Sequence, residues 1–347
     1  MKIFLTGALG YIGSVINHLL TEEGFTVVGV DAGFFPENCF YREDVWQSRS
    51  AIEKLLRKDT RDITSDDLRG CGAVVDFAGL ANDPSGELNP QWTDEINHQA
   101  CVGLARIAKQ NGIPRYIFAS TCSVYGARGE LLLTEDSEVE PVSAYAKAKV
   151  ATEQDLKSLA DRNFHPTILR NATAFGASPR MRFDLVVNNL TGYGYTTKTI
   201  RILSDGTAWR PNVHIEDIAR AALATLTAPT DEVGGEVFNV GMESENHKVH
   251  ELANMVSEAL TGCKVEIAKG ATKDPRSYRV SFKKISRLKT YNPQWSVKKG
   301  IQELKDAFER NKLTYEDFQA SNYHNLKRMQ ELIASRKLDN TLRFRPQ

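Results

Sequence analysis

The segment Thr6-Gly7-Ala8-Leu9-Gly10-Tyr11-Ile12-Gly13 follows the apolar run Ile3 to Leu5 and leads into Tyr11 to Leu20, whose apolar residues recur at helical spacing. A strand, a glycine turn and a helix in that order leave the chain few alternatives to a βαβ unit. Gly7 permits the tight turn, Gly10 lets backbone amides approach a pyrophosphate, and Gly13 lets the helix pack closely on the strand. Tyr11 and Ile12 sit inside the same turn and are expected to share the dinucleotide site. A second apolar run, Phe25 to Val30, ends in Asp31. A carboxylate at that strand tip suits a ribose 2′-hydroxyl and repels a 2′-phosphate, so the expected cofactor is NAD rather than NADP.

Apolar runs and helical patterns then alternate. Ile3 to Leu5, Thr26 to Val30, Ala73 to Phe77, Tyr116 to Ala119 and Thr167 to Leu169 read as strands; Ile96 to Gln110 and Ala144 to Asp161 read as helices. The alternation predicts an α/β fold, a Rossmann-like doubly wound parallel sheet with a smaller mixed α/β portion. No internal repeat is present. After Gly176 the texture shifts to short mixed elements, with loops expected around Ser178 to Arg182, Gly206 to Asn212 and Gly270 to Arg276. The chain is accordingly divided into residues 1–176, a dinucleotide-binding domain to which some later segments return, residues 177–311, a substrate-binding portion, and residues 312–347, a charged C-terminal extension. A helix near Tyr323 to Arg336 is expected in that extension, as an appended tail or oligomer contact.

Composition narrows the partners. With 44 basic and 44 acidic residues among 347, and no long basic run, nothing favours nucleic acid or a membrane surface. No apolar run reaches spanning length, and the first residues lack a signal-peptide cleavage pattern. Cys39, Cys71, Cys101, Cys122 and Cys263 are odd in number and scattered, which fits reduced thiols in a cytoplasmic protein. His247 and His250 lack a third ligand at a defined spacing, so no metal is expected. The Gly-x-Ser-x-Gly elbow of serine hydrolases is absent.

Tyr145 and Lys149 lie four apart in Ser143-Ala144-Tyr145-Ala146-Lys147-Ala148-Lys149, which places phenol and ammonium on one helix face. Tyrosine ionises near pH 10, so half-ionising it at neutrality requires a shift of about three units, roughly 4 kcal/mol. The Lys149 charge and a positive nicotinamide ring are suitable sources.

These residues together resemble an extended short-chain dehydrogenase/reductase of the nucleotide-sugar epimerase and dehydratase family, over Met1 to about Phe308. Asp59-Thr60 resembles the pair that meets adenine, and Phe77-Ala78-Gly79-Leu80 the segment passing beneath the cofactor. Ala119-Ser120-Thr121-Cys122-Ser123-Val124-Tyr125-Gly126 resembles the strand end carrying the active-site hydroxyl, assigned to Thr121. Asn97 matches an asparagine on the helix behind that site. Gly206-Thr207-Ala208-Trp209-Arg210-Pro211-Asn212-Val213-His214 resembles the stretch whose arginine meets the diphosphate of a nucleotide sugar. Arg276 falls in the region of a second such arginine, and Asn188 in that of a further substrate contact.

The resemblance implies an NAD-dependent enzyme, a homodimer, that oxidises a hydroxyl of a nucleotide-diphosphate sugar, at C4, with Tyr145, Lys149 and Thr121 as catalytic residues. Dehydratases of the family carry an Asp-Glu pair after the threonine; here those positions are Cys122 and Ser123, so the usual proton shuttles for dehydration are missing. Cys122 is either a proton carrier at a carbon beside a keto group or a small buried wall residue. The favoured outcome is C4 epimerisation, the alternatives being a C4 dehydrogenase or a 4-ketoreductase. A non-catalytic dinucleotide sensor should lack Tyr145, Lys149 or the Thr121 hydroxyl, and amino-alcohol, aryl or steroid substrates would give Arg210 no diphosphate to bind.

Overall fold

Seven strands pair in parallel in the computed structural model, which describes residues 1–35, 40, 52–272, 274 and 276–345. Cys39 and Pro275 lie outside the described residues. Across the sheet the strands run Val237–Val240, His165–Asn171, Arg115–Thr121, Ala73–Asp76, Lys2–Thr6, Thr26–Asp31 and Ile52–Arg57. The order reverses beside Lys2–Thr6, which makes the carboxyl ends of that strand and of Ala73–Asp76 a topological switch point.

Period-two packing explains why these segments are strands. Ile3, Leu5, Val75, Ile117 and Leu169 pack into the cluster on one face. Phe4, Val74, Tyr116, Phe118 and Ile168 pack into the cluster on the other. Helices cover both faces, so the central strands read as unbroken apolar runs.

Several expectations change in detail. Ile52–Arg57 is an edge strand whose mixed burial gives no clean alternation, and Val237–Val240 returns from the second half to extend the sheet. Phe77 lies just past the end of Ala73–Asp76. The expected loop Gly206 to Asn212 is half strand: Trp209–His214 pairs antiparallel with Asn246–Lys248 and parallel with Thr173–Phe175. The helix expected over Ile96 to Gln110 opens with a π-helical turn, Glu95–Gln99, before Ala100–Gln110.

The C-terminal extension packs on this chain's own core. Its helix Asn325–Ala334 buries Met329 and Leu332, which join Leu338 and Leu342 against Leu80 and Ile96. Among the described residues no helix is long and apolar enough to cross a membrane.

Candidate active site

The glycine turn is tight enough to dictate its residues. Gly7 holds a φ of 67°, Gly10 N donates to Gly7 O at 2.9 Å, and a Cβ on Gly13 would stand 1.9 Å from Gly7 O. The helix Gly13–Glu22 therefore starts directly against the strand end, its first amides directed at the turn. Thr6 Oγ1 ties the two switch-point strands together, accepting from Phe77 N and Ala78 N at 3.1 and 3.0 Å and donating to Asp76 Oδ1 at 2.5 Å. Asp31 accepts from Leu9 N at 3.1 Å and Gly33 N at 2.9 Å; burial nevertheless holds its carboxyl above the usual range.

Gly7, Gly10, Tyr11, Ile12, Gly13, Asp31, Asp59, Thr60, Phe77, Ala78 and Gly79 all line one cleft of about 140 Å³. Asp59 caps the turn Thr60–Asp62 by accepting from Arg61 N at 2.9 Å. Asn97 stands behind the cleft: its Oδ1 accepts from Leu80 N at 2.7 Å, its Nδ2 donates to Leu80 O at 3.0 Å, and a Cβ on Gly79 would meet Oδ1 at 2.8 Å. A cradle that side chains would fill, closed by a carboxylate at a strand tip, fits a dinucleotide with a free ribose 2′-hydroxyl.

A second cavity of about 560 Å³ adjoins the first, sharing Ile12, Phe77, Ala78, Gly79, Ala81 and Arg182 with it. Thr121, Tyr145, Lys149, Arg210 and Arg276 all line it, although they come from elements far apart in the chain. Thr121 ends the strand Arg115–Thr121, and its Oγ1 accepts from Ser123 N at 3.1 Å. Tyr145 enters from the first turn of the helix Ala144–Leu159, capped by Ser143, whose Oγ accepts from Ala146 N at 3.2 Å. Tyr145 and Thr121 line the same cavity, and the Thr121 side chain acts to lower the Tyr145 phenol's pKa.

Two sequence expectations need correction here. Burial pushes the Tyr145 phenol up to about 12, with the Asp83 charge acting the same way. Lys149 is not a leading influence on it: burial lowers the tendency of Lys149 itself to carry charge, and its Nζ donates to Ala119 O at 2.7 Å. Asn188 is fully buried and stays out of the cavity, its carboxamide used by Gly176 N at 3.0 Å, the Tyr11 hydroxyl at 2.9 Å and Arg182 O at 2.9 Å. It braces the loop that carries the arginine instead of facing a substrate.

Cys122 is also fully buried, donating to Arg170 O at 3.1 Å, and burial drives its thiol far above the ordinary range. Of its two possible roles the wall residue survives, since a proton carrier needs access and a matched pKa. Arg210 and Arg276 meet at one carboxylate: Arg210 NH2 donates to Asp274 Oδ2 at 2.7 Å and Arg276 NH2 to the same oxygen at 3.1 Å. Arg276 NH1 reaches Asp83 Oδ2 at 3.2 Å, and Ser143 Oγ donates to Asp83 Oδ1 at 2.6 Å.

The cavity also contains residues that sequence reasoning missed. Arg182 forms a double hydrogen bond with Asp184, both contacts at 2.9 Å. Tyr278 lines the cavity with Ser123, and burial pushes its phenol up to about 12. The loop Ser178 to Arg182 and the run around Arg276 contained them, but nothing local marked them as cavity residues. His214, by contrast, is structural, bonded to Glu303 Oε2 at 2.8 Å and stacked on Trp295. Among the described residues no group of three His, Cys, Asp or Glu could hold a metal ion.

The model of the NAD dependent epimerase/dehydratase family matches residues 3–241. A UDP-glucose 4-epimerase of Corynebacterium glutamicum is 28% identical over 330 residues, covering 89% of this chain and 95% of its own length. A UDP-glucuronate 4-epimerase of Thermodesulfobacterium geofontis is 25% identical over 318 residues, covering 86% of this chain and 93% of its own. The solved structure of MoeE5 in complex with UDP-glucuronic acid and NAD superposes with a TM-score of 0.76 at 25% identity, covering 89% of this chain and 99% of that one.

Proposed function

Because the chain belongs to the NAD dependent epimerase/dehydratase family, we propose that it is a nucleotide-sugar 4-epimerase, acting at C4 of a sugar held through its diphosphate. The observation that carries the reading is the meeting of Thr121 and Tyr145 with Arg210 and Arg276 in one cavity beside the dinucleotide cleft. Relatives named as UDP-glucose and UDP-glucuronate 4-epimerases support the same outcome.

Arg210 and Arg276 bind the diphosphate, for which paired charge-assisted hydrogen bonds are well suited. Asp274 and Asp83 already hold these guanidiniums, so the incoming phosphates compete with two carboxylates. Thr121 orients the C4 oxygen, and Tyr145, as phenolate, takes the C4 hydroxyl proton and, as the resulting phenol, later returns it. Lys149, anchored on Ala119 O, holds the nicotinamide ribose. NAD, when bound, would supply the acceptor and then the donor of one hydride. Without a carboxylate pair after Thr121, the cavity lacks the shuttles that dehydration uses, which supports return of the hydride to the same sugar. The reading includes a cytoplasmic homodimer, supported by the scattered thiols, the balanced charge and the family resemblance.

A sugar deuterated at C4 tests the outcome. Retention of deuterium at C4 in the epimeric product is expected; stoichiometric NADH with a released 4-keto sugar would overturn epimerisation in favour of a dehydrogenase.

A further inference from the structure

The short helix Asp83–Gly86 is held against cavity residues from distant stretches of chain. Asn82, which precedes it, has φ 87° and ψ 156°, a backbone region open to glycine and costly for other residues. Two side-chain bonds hold it there: Asn82 Oδ1 accepts from Ser85 N at 3.0 Å, and Nδ2 donates to Asp184 Oδ2 at 2.7 Å. Strain of this kind persists only where the surroundings over-determine it, and it collects at ligand sites.

Asp83 follows Asn82 and lines the cavity with Thr121, Tyr145 and Tyr278. The helix sits close against Tyr145: a Cβ on Gly86 would stand 3.0 Å from the Tyr145 Cβ, and Ala144 N donates to Glu87 Oε1 at 2.7 Å. Burial raises the Tyr145 and Tyr278 phenols, and the Asp83 charge acts the same way on both, so the carboxylate lies near the two hydroxyls.

Ser143 Oγ donates to Asp83 Oδ1 at 2.6 Å, and Arg276 NH1 to Oδ2 at 3.2 Å. A carboxylate accepts about four hydrogen bonds, so both oxygens retain acceptor capacity, and the side chain is 20% exposed. Arg276 already makes a double contact with Asp274, Nε to Oδ1 and NH2 to Oδ2, both at 3.1 Å. Asp83 is therefore not needed to hold that guanidinium. The other carboxylate lining the cavity among the described residues, Asp184, is taken up by Arg182, Asn82 and the Asn325 backbone.

We propose that Asp83 is a substrate-binding residue whose carboxylate accepts a hydrogen bond from the 3-hydroxyl of the sugar, and so selects sugars that carry a donor beside C4. The inference rests on the nucleotide-sugar reading above. With Thr121 and Tyr145 on the C4 oxygen, the adjacent ring hydroxyl of a pyranose is on C3, because C5 carries none. A hydrogen bond to an ionised acceptor is about twice as strong as a neutral one. A sugar lacking the donor leaves that acceptor unmatched, which is how such a site discriminates.

The test is calorimetric, on full-length Tyr145→Phe protein with NAD present, so that turnover does not intervene. The ligands are UDP, dTDP and GDP, then the glucose conjugate of the base that binds best and the 3-deoxyglucose form of that conjugate. Loss of the 3-hydroxyl should weaken binding about tenfold, equivalent to about 1.4 kcal/mol. Adding Asp83→Ala should weaken the glucose conjugate by the same factor and the 3-deoxy form no further. The nucleoside diphosphate should bind that variant as well or better, since Arg276 no longer answers a second carboxylate. Asp83→Asn, which keeps an acceptor oxygen, should recover part of the loss, and it carries the comparison should Asp83→Ala not fold. A merely structural role would weaken diphosphate and conjugate alike; that result, or an undiminished 3-deoxy penalty in Asp83→Ala, would overturn the proposal alone. Failure of the Tyr145→Phe protein to bind any of the three diphosphates would instead remove the nucleotide-sugar reading, and the proposal with it.

Discussion

Lys149 and Tyr145 share a helix face, yet the Lys149 ammonium is 6.0 Å from the centre of the Tyr145 ring and spends its strongest contact on the Ala119 carbonyl at 2.7 Å. It also lies 4.4 Å from the centre of the Phe118 ring. The pair therefore does not by itself bring the phenol towards neutrality. Burial dominates, and pushes Tyr145 up to about 12. In the proposed reaction a positive charge brought in with oxidised NAD would supply the missing stabilisation of the Tyr145 phenolate.

Tyr145→Phe removes the proposed proton carrier while keeping the ring that lines the cavity. Turnover of the nucleotide sugar should fall by at least about a hundredfold, with NADH affinity and thermal midpoint close to wild type. Turnover measured at the wild-type rate would remove Tyr145 from the mechanism.

Asp31 is the residue proposed to set the choice of dinucleotide. With its carboxylate fixed by Leu9 N and Gly33 N, NADH should bind at least about tenfold more tightly than NADPH, a difference of about 1.4 kcal/mol. Asp31→Asn should narrow that ratio by removing the charge that opposes a 2′-phosphate. Calorimetric titrations check it, and equal or tighter NADPH binding by the wild type would refute it.

Cys122 should be dispensable for chemistry. Sealed in the core against Arg170 O, it is replaced in Cys122→Ala at a stability cost of about 1 kcal/mol, read from denaturant midpoints. Turnover at a temperature where the variant is folded should stay within about threefold of wild type, about 0.7 kcal/mol. A loss of a hundredfold would restore the thiol as a proton carrier.

Much of the cofactor cleft was legible because its constraints are local. Gly7, Gly10 and Gly13 are required by a turn of a few residues, and Asp31 ends a strand whose apolar run announces it. The hydroxyls proposed as catalytic were placed through motif: Thr121 at a strand end and Tyr145 at a helix start are each set by the residues beside them. The same reasoning failed for Asn188, whose position near the cavity in sequence terms says nothing about which way its carboxamide turns. Gly176 N and the Tyr11 hydroxyl claim it, and those partners lie 12 and 177 residues away.

By itself the sequence determined the alternation of strands and helices, the glycine turn, the carboxylate at the strand tip and the helix face carrying Tyr145 and Lys149, all properties of near neighbours and of backbone period. Tertiary structure alone decided that Lys149 bonds to Ala119, that Arg210 and Arg276 share Asp274, and that Arg180 donates to the Asn325 side chain 145 residues further along the chain. Those contacts form only when separate elements close around one cleft, where burial strengthens each charge interaction and leaves each polar group few partners. No short stretch of residues encodes that choice.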